Sequence, residues 1–307
     1  MKKVLIAVLV VIVAVVIGYY AFPEKVAGYM INAGRSKAGL IKKEIKIDDH
    51  KIVYLEGGKG PTILLLHGYT GDKDNWIMFA PYLTKNYHVV IPDIPGYGES
   101  SMIEAASYDL SSQMSRLHKF AQALELKKFH IVGNSMGGLF AGTYAVRYPD
   151  EVISVGLFNA AGVTSLEKSV VMKMMEKGEN PLVLKDANDM ARLMALVFVK
   201  QPTLPYPIEK VMINTSLANR KFYDKELKEL GLDFLSLEKD LPKIKAQTLI
   251  LWGKQDKITD VSSVPVFEKG LKNHKSVIIE ECGHVPMIEK PQETATHYID
   301  FLKGLKI

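Results

Sequence analysis

The stretch Phe129 to Leu139, FHIVGNSMGGL, decides how the rest of the chain folds. Phe129-His130-Ile131-Val132 is short, apolar and β-branched, the pattern of a buried strand. Gly133-Asn134-Ser135-Met136-Gly137 matches G-x-S-x-G, and Gly138 to Ala145 is apolar on nearly every side, as a helix buried against a sheet should be. Strand, sharp turn and helix in that order form a nucleophile elbow rather than a chance glycine-rich turn. Such a turn strains the backbone of Ser135 and lifts its Oγ clear of the sheet. Side chains two residues before and after would collide there, so Gly133 and Gly137 supply room. A helix starting at Met136 also aims its first N–H groups at any negative charge developing beside Ser135.

Outward from the elbow, Thr62 to Leu66 and Tyr87 to Ile91 are continuous apolar runs, hence strands covered on both faces. Val152 to Phe158, Thr248 to Trp252 and Ser276 to Ile279 predict three more strands. Lys43 to Ile47 and Lys51 to Leu55 alternate polar and apolar, as in an antiparallel hairpin or meander. Helical spacing recurs over Asp74 to Leu83 and over Ser111 to Leu124, where Met114, Leu117, Phe120, Ala121 and Leu124 share a face. Pro291 to Leu302 predicts the closing helix. Strands alternating with helices imply an α/β class with a mostly parallel sheet covered on both sides.

The alternation breaks between Gly162 and Leu235, where helical patterns run without strands. Thr164-x-x-Glu167 is a capping-box pattern for a first helix, and Asp186 could cap a second. Pro202, Pro205 and Pro207 precede a third, over Ile208 to Ala218. This predicts a helical cap inserted after the sixth strand. It carries six of the chain's 13 methionines: Met172, Met174, Met175, Met190, Met194 and Met212. Two readings of them stand, a lid that adapts to lipid and plain packing between small helices. The segments expected are an anchor at 1–22, a linker at 23–42, core at 43–161, cap at 162–235 and core again at 236–307.

The 307 residues are 48% hydrophobic and 24% charged, ordinary globular composition with ample material for a core. Net charge is +5, with basic and acidic residues interspersed, which suits anionic lipid and is no nucleic-acid footprint. The one cysteine, Cys282, cannot form an internal disulfide and reads as a small packed thiol. After Lys2-Lys3, the stretch Val4 to Phe22 has 19 uncharged residues, about 28 Å as a helix and close to one bilayer core. A cleaved signal peptide is the competing reading, but no clear small-x-small site follows, so a single-pass anchor is expected. Lys2 and Lys3 favour a cytoplasmic N-terminus and an extracytoplasmic catalytic domain. Lys25, Arg35, Lys37, Lys42 and Lys43 weigh the other way.

A serine nucleophile needs a base, an orienting acid and an oxyanion hole. In an elbow fold the partners follow in the order serine, acid, histidine, each after a strand. Asp256 follows the strand Thr248 to Trp252, and His284 follows Ser276 to Ile279. These residues therefore predict Ser135 as nucleophile, His284 as general base and Asp256 as orienting acid. The oxyanion donors expected are the backbone N–H groups of Met136 and Tyr69, the latter in His67-Gly68-Tyr69-Thr70-Gly71 after the strand Thr62 to Leu66. His67 is expected to brace that loop, and Glu280 and Glu281 to be solvated. No metal or cofactor is required by this chemistry.

HGYTGDKDNW, PDIPGYGES, GNSMGG, WGKQDKITD and ECGHVPMIEKP, in this order, resemble the α/β-hydrolase superfamily over nearly everything after residue 43. The N-terminal anchor with LWGKQDKITDVSS and EECGHVPMIEKPQETATHYIDFL is similar to membrane-anchored monoacylglycerol lipases and related bacterial lipases and esterases. The resemblance implies the α/β-hydrolase fold and hydrolysis of carboxylic esters, with acylglycerols or short- to medium-chain esters as substrates. Its triad carries over onto Ser135, Asp256 and His284. The short HG-x oxyanion loop weakens any claim on bulky tertiary-alcohol esters. Three rivals remain: a C–C bond hydrolase of ring-cleavage products, a dehalogenase or epoxide hydrolase, nearly excluded because that chemistry would want an aspartate at position 135, and a non-catalytic ligand-binding protein on the same fold.

Overall fold

The computed structural model describes residues 1–305. Its eight strands are β1 (Leu40–Ile47), β2 (His50–Gly57), β3 (Thr62–Leu66), β4 (His88–Pro92), β5 (Phe129–Asn134), β6 (Val152–Phe158), β7 (Gln247–Gly253) and β8 (His274–Ile279). They form one sheet in the order β1-β2-β4-β3-β5-β6-β7-β8. β1 and β2 pair as the expected antiparallel hairpin, β2 joins β4 antiparallel, and every other pairing is parallel. The elbow strand β5 thus lies inside the sheet. β7 and β8, which precede Asp256 and His284, lie two and three places away on one side.

Alternation along the buried strands divides the core into two apolar layers. Leu64, Leu66, Ile131 and Trp252 pack with Phe120 and Leu139 on one face. Ile63, Leu65, Val132 and Phe158 pack with Trp76, Phe79 and Tyr298 on the other. The helices supplying these layers are α3 (Ala80–Leu83), α4 (Leu110–Ala123), α5 (Met136–Arg147), α9 (Val264–Gly270), α10 (Pro286–Glu289) and α11 (Pro291–Lys303). The predicted helix at 74–83 is two pieces, a 3-10 turn over Lys73–Trp76 and the short α3. Asp72 closes a capping box on that turn, and Trp76 drops into the core.

The cap departs from expectation in detail. Its helices are α6 (Val170–Met175), α7 (Asp189–Val197) and α8 (Tyr206–Leu230). The capping-box reading of Thr164 fails, because the Thr164 N–H is taken by Glu238 and the chain stays irregular until Ser169 Oγ accepts from Met172 N–H. Asp186 bonds Asn188 N–H in a turn and does not cap α7. The third helix runs 25 residues, far beyond Ala218. Pro207 sits in its first turn, where a missing N–H costs nothing, so the prolines start this helix rather than delay it.

The N-terminal α1 (Lys2–Ala21) has no buried residue and is long and apolar enough to cross a membrane. Residues 23–42, expected as a spacer, are ordered secondary structure: α2 (Pro23–Lys37), then the first residues of β1. α2 packs against α8, and the rings of Tyr19 and Tyr20 at the end of α1 lie 6.4 Å and 5.1 Å from that of Tyr206. Buried Arg35 at the end of α2 grips the Asp74 carboxylate with two nitrogens, at 2.7 Å and 2.5 Å.

Candidate active site

Ser135 stands between β5 and α5 with φ 57 and ψ −121, a conformation costing of order 1–3 kcal/mol for a residue with a side chain. The surrounding chain holds it there. Ser135 N–H donates to Phe158 O at 3.1 Å, and Ser135 O accepts from Gly138 and Ala161 N–H, each at 2.9 Å. A Cβ on Gly133 would overlap the Gly137 carbonyl, and one on Gly137 would overlap the carbonyls of Leu66 and His67. The steric reason expected for both glycines is therefore present as backbone contact.

The loop after β3 comes equally close. A Cβ on Gly68 would lie 3.0 Å from Ser135 Cβ. His67 is fully buried; its Nδ1–H donates to Gly68 O at 2.8 Å and its Nε2 accepts from Ile94 N–H at 3.0 Å. Burial lowers its basicity, so it is a neutral ring that braces the loop, as expected. The N–H groups of Tyr69 and Met136 have no protein acceptor among the described residues, which leaves both free for a ligand.

At the ends of β7 and β8, His284 Nδ1–H donates to Asp256 Oδ2 at 2.8 Å, with both residues 5% exposed. The bond places the ring's hydrogen on Nδ1 and leaves Nε2 as the basic nitrogen. The other Asp256 oxygen accepts from Ile258 N–H at 2.7 Å and Thr259 N–H at 3.1 Å. Among the described residues, the Ser135 hydroxyl makes no hydrogen bond to His284 Nε2, whose ring is fixed from the other side by Asp256. The two residues are nonetheless adjacent through the chain: Asn134 Nδ2 donates to His284 O at 2.9 Å. Cys282 is fully buried and its thiol is pushed up to about 12, so it is an inert packed thiol.

Three supporting residues escaped the sequence reading. Asn159, just past β6 at φ 45, donates to Asp256 Oδ2 at 2.6 Å. Thr259 Oγ1 lies 2.7 Å from the same oxygen and 3.3 Å from His284 Nδ1. Glu289 accepts from Gly283 N–H at 2.7 Å, while His284 N–H donates to Val197 O at 2.8 Å, so the cap helps hold the histidine loop. The sole sequence signal for Asn159 was a polar residue ending the apolar run VISVGLF.

Ser135 opens on a cavity of about 430 Å³ between the elbow and the cap. Val163, Met172, Met175, Leu182, Phe234 and Ile258 give it apolar walls, and among the described residues Asp260 lines it and no lysine or arginine does. The cap methionines divide: Met172 and Met175 line the cavity, while Met190 and Met194 pack with Leu184 and Phe198 in a separate core. The arrangement can hold an extended apolar group with an electrophilic carbon beside Ser135.

The family model for the alpha/beta hydrolase fold matches residues 61–291. The chain belongs to the α/β-hydrolase family. Within that family it is 31% identical to the monoacylglycerol lipase ABHD6 of Bos taurus, across 96% of this hydrolase and 91% of the relative. It is 35% identical to Lipase 1 of Psychrobacter immobilis, across 89% and 87%. Among solved structures, a membrane phospholipase A described as a bacterial virulence factor superposes with TM-score 0.91 at 42% identity over 99% of both chains. A meta-cleavage product hydrolase of Pseudomonas fluorescens, 22% identical with TM-score 0.75 over 85% and 97%, shares the fold. With lipases at this identity over nearly its whole length, the hydrolase is a carboxylic ester hydrolase of lipase or esterase type.

Proposed function

We propose that Ser135, His284 and Asp256 hydrolyse carboxylic esters through an acyl-enzyme. His284 Nε2 takes the hydroxyl proton as Ser135 Oγ attacks the carbonyl carbon. The resulting oxyanion accepts hydrogen bonds from Tyr69 and Met136 N–H. His284 then protonates the leaving alcohol, water attacks the acyl-enzyme by the same route, and Asp256 stabilises the imidazolium throughout. The observation that carries this reading is the 2.8 Å Nδ1–Asp256 bond, which points the basic nitrogen away from the acid on a loop tied to the elbow.

The substrates we propose are monoacylglycerols and short- to medium-chain esters. A largely apolar cavity, lined among the described residues by Asp260 and by no lysine or arginine, supports an acyl chain and an alcohol part without negative charge. The names of the monoacylglycerol lipase relatives support the same reading. We further propose that α1 anchors the enzyme in a membrane, with the catalytic domain extracytoplasmic. On this reading, 43–161 and 236–307 form the hydrolase core and 162–235 its cap.

Initial rates on monoacylglycerols, p-nitrophenyl esters of rising chain length, a phosphatidylglycerol and one ring-cleavage dienone test the proposal. Monoacylglycerols and uncharged esters should turn over fastest. Turnover of the dienone alone would overturn ester hydrolysis, and preference for the phospholipid would overturn the uncharged-substrate assignment.

A further inference from the structure

Among the described residues, one buried carboxyl lacks a well-aligned partner. Glu226, on α8, is fully shielded from solvent, neither of its oxygens accepts a well-aligned hydrogen bond, and the Tyr97 hydroxyl is the donor beside it. Buried polar groups are nearly always paired, and a bare buried charge is far more costly than a neutral group. The triad and its proton transfers make no use of this side chain.

Its position is specific. Glu226 Oε1 fills the space that a Cβ on Gly96 would occupy, and Gly96 has φ +99. The next residue, Tyr97, is buried, and its hydroxyl lies 3.5 Å from Met136 Sδ. The Tyr97 ring meets that of His67 at 5.3 Å and that of Tyr69 at 6.3 Å, edge to face, and stacks on Tyr223 at 5.8 Å. Tyr223 precedes Glu226 by three residues on α8, and its carbonyl accepts the Tyr69 hydroxyl at 2.8 Å. One turn of the cap helix therefore touches Tyr69 directly and reaches Met136 through Tyr97.

We propose that Glu226 is a positioning residue that docks the cap onto the oxyanion loops through Gly96 and Tyr97, and that ionisation of its carboxyl releases this docking. The inference rests on the ester-hydrolase reading of the site. Burial pushes the carboxyl up to about 9, so it is neutral in the folded enzyme at pH 7. The groups around it are the phenols of Tyr97, Tyr69, Tyr108 and Tyr223, Arg116 of α4, and Lys225 and Glu229 on its own helix, the Tyr97 hydroxyl favouring the ionised form. Burial raises all four phenols, which keeps them neutral as Glu226 titrates. Arg116 and Lys225 favour the ionised form, yet neither bonds the carboxyl.

Unfolded, this carboxyl titrates near 4.5. Between that pH and about 9 the folded protein holds a proton that the unfolded chain has lost. Stability from this residue is therefore full at low pH, falls as pH rises across the window, and is flat beyond it.

The test uses the full-length protein in detergent, wild type beside Glu226→Gln and Glu226→Leu, from pH 5 to 10.5. Two readouts are taken: the melting temperature and the second-order rate of fluorophosphonate labelling at Ser135. The wild-type labelling rate should fall at least tenfold with a midpoint near pH 9, and both variants should lose that midpoint. The melting temperature of Glu226→Gln should exceed that of wild type by a margin that widens from pH 5 to 9. The same alkaline midpoint in the variants, or none in wild type, would overturn the proposal. Absence of labelling at every pH would refute the nucleophile assignment instead, and the melting-temperature difference would still decide the role of Glu226.

Discussion

Asn159 holds the carboxylate of Asp256 from behind: its Nδ2 donates to Oδ2 at 2.6 Å while its Oδ1 accepts from Gly253 N–H at 3.2 Å. The amide thus ties the end of β6 to the turn after β7 and orients the acid toward His284. A hydrogen bond to a charged group contributes about 1.5–3 kcal/mol. Asn159→Ala should lower kcat by roughly 10- to 100-fold with little change in KM, since the contact orients the acid and does not bind substrate. Steady-state kinetics on a p-nitrophenyl ester checks this; an unchanged kcat would remove Asn159 from the positioning network.

Gly68 gives a second prediction. A methyl group there would lie 3.0 Å from Ser135 Cβ, so the loop after β3 or the elbow must shift. Loss of one oxyanion donor costs about 10²–10³ in rate. Gly68→Ala should fall in that range while keeping a cooperative melt, measured by kcat and by thermal unfolding of the same preparation.

The helix α2 carries a third. Arg35 is 7% exposed and joins Asp74 and Glu99, and Lys73 links the same Glu99 to buried Asp93. Removing one partner of a buried pair leaves the other uncompensated and typically costs about 3–5 kcal/mol. Arg35→Ala should lower the melting temperature by several degrees, with Arg35→Lys intermediate because lysine lacks the two-nitrogen fork. Equal melting temperatures for all three proteins would mean that α2 rests on the core without holding it.

Chain-length preference follows from the cavity wall. Met175 lines the cavity that Ser135 opens on. Met175→Trp should lower kcat/KM for long-chain p-nitrophenyl esters at least tenfold and leave the acetate ester within about threefold, because only a long acyl chain reaches that wall. An equal loss on every chain length would place the acyl group elsewhere.

Much of this architecture was legible because it rests on local patterns. Runs such as Thr62 to Leu66 and Val152 to Phe158 are strands wherever a doubly covered sheet exists, and G-x-S-x-G between strand and helix leaves few alternatives. Chain order alone singled out Asp256 and His284, and the fold brings the two side chains within 2.8 Å. Asn159 and Glu226 were not legible, because each gains meaning only from residues far along the chain: Asp256 for one, Gly96 for the other. The length of α8 was missed for a related reason. Its second half buries Tyr223 and Glu226 against polar and aromatic loops, so the apolar spacing that marks a helix stops before the helix does.

Intact-mass analysis after treatment with a fluorophosphonate, followed by peptide mapping, asks whether Ser135 is the reactive nucleophile. Wild-type protein should gain a single adduct that maps to Ser135, labelling should slow at least 100-fold in His284→Ala, and Ser135→Ala should remain unlabelled and inactive on esters. An unlabelled wild type that still cleaves esters, or a Ser135→Ala protein that retains activity, would contradict the assignment.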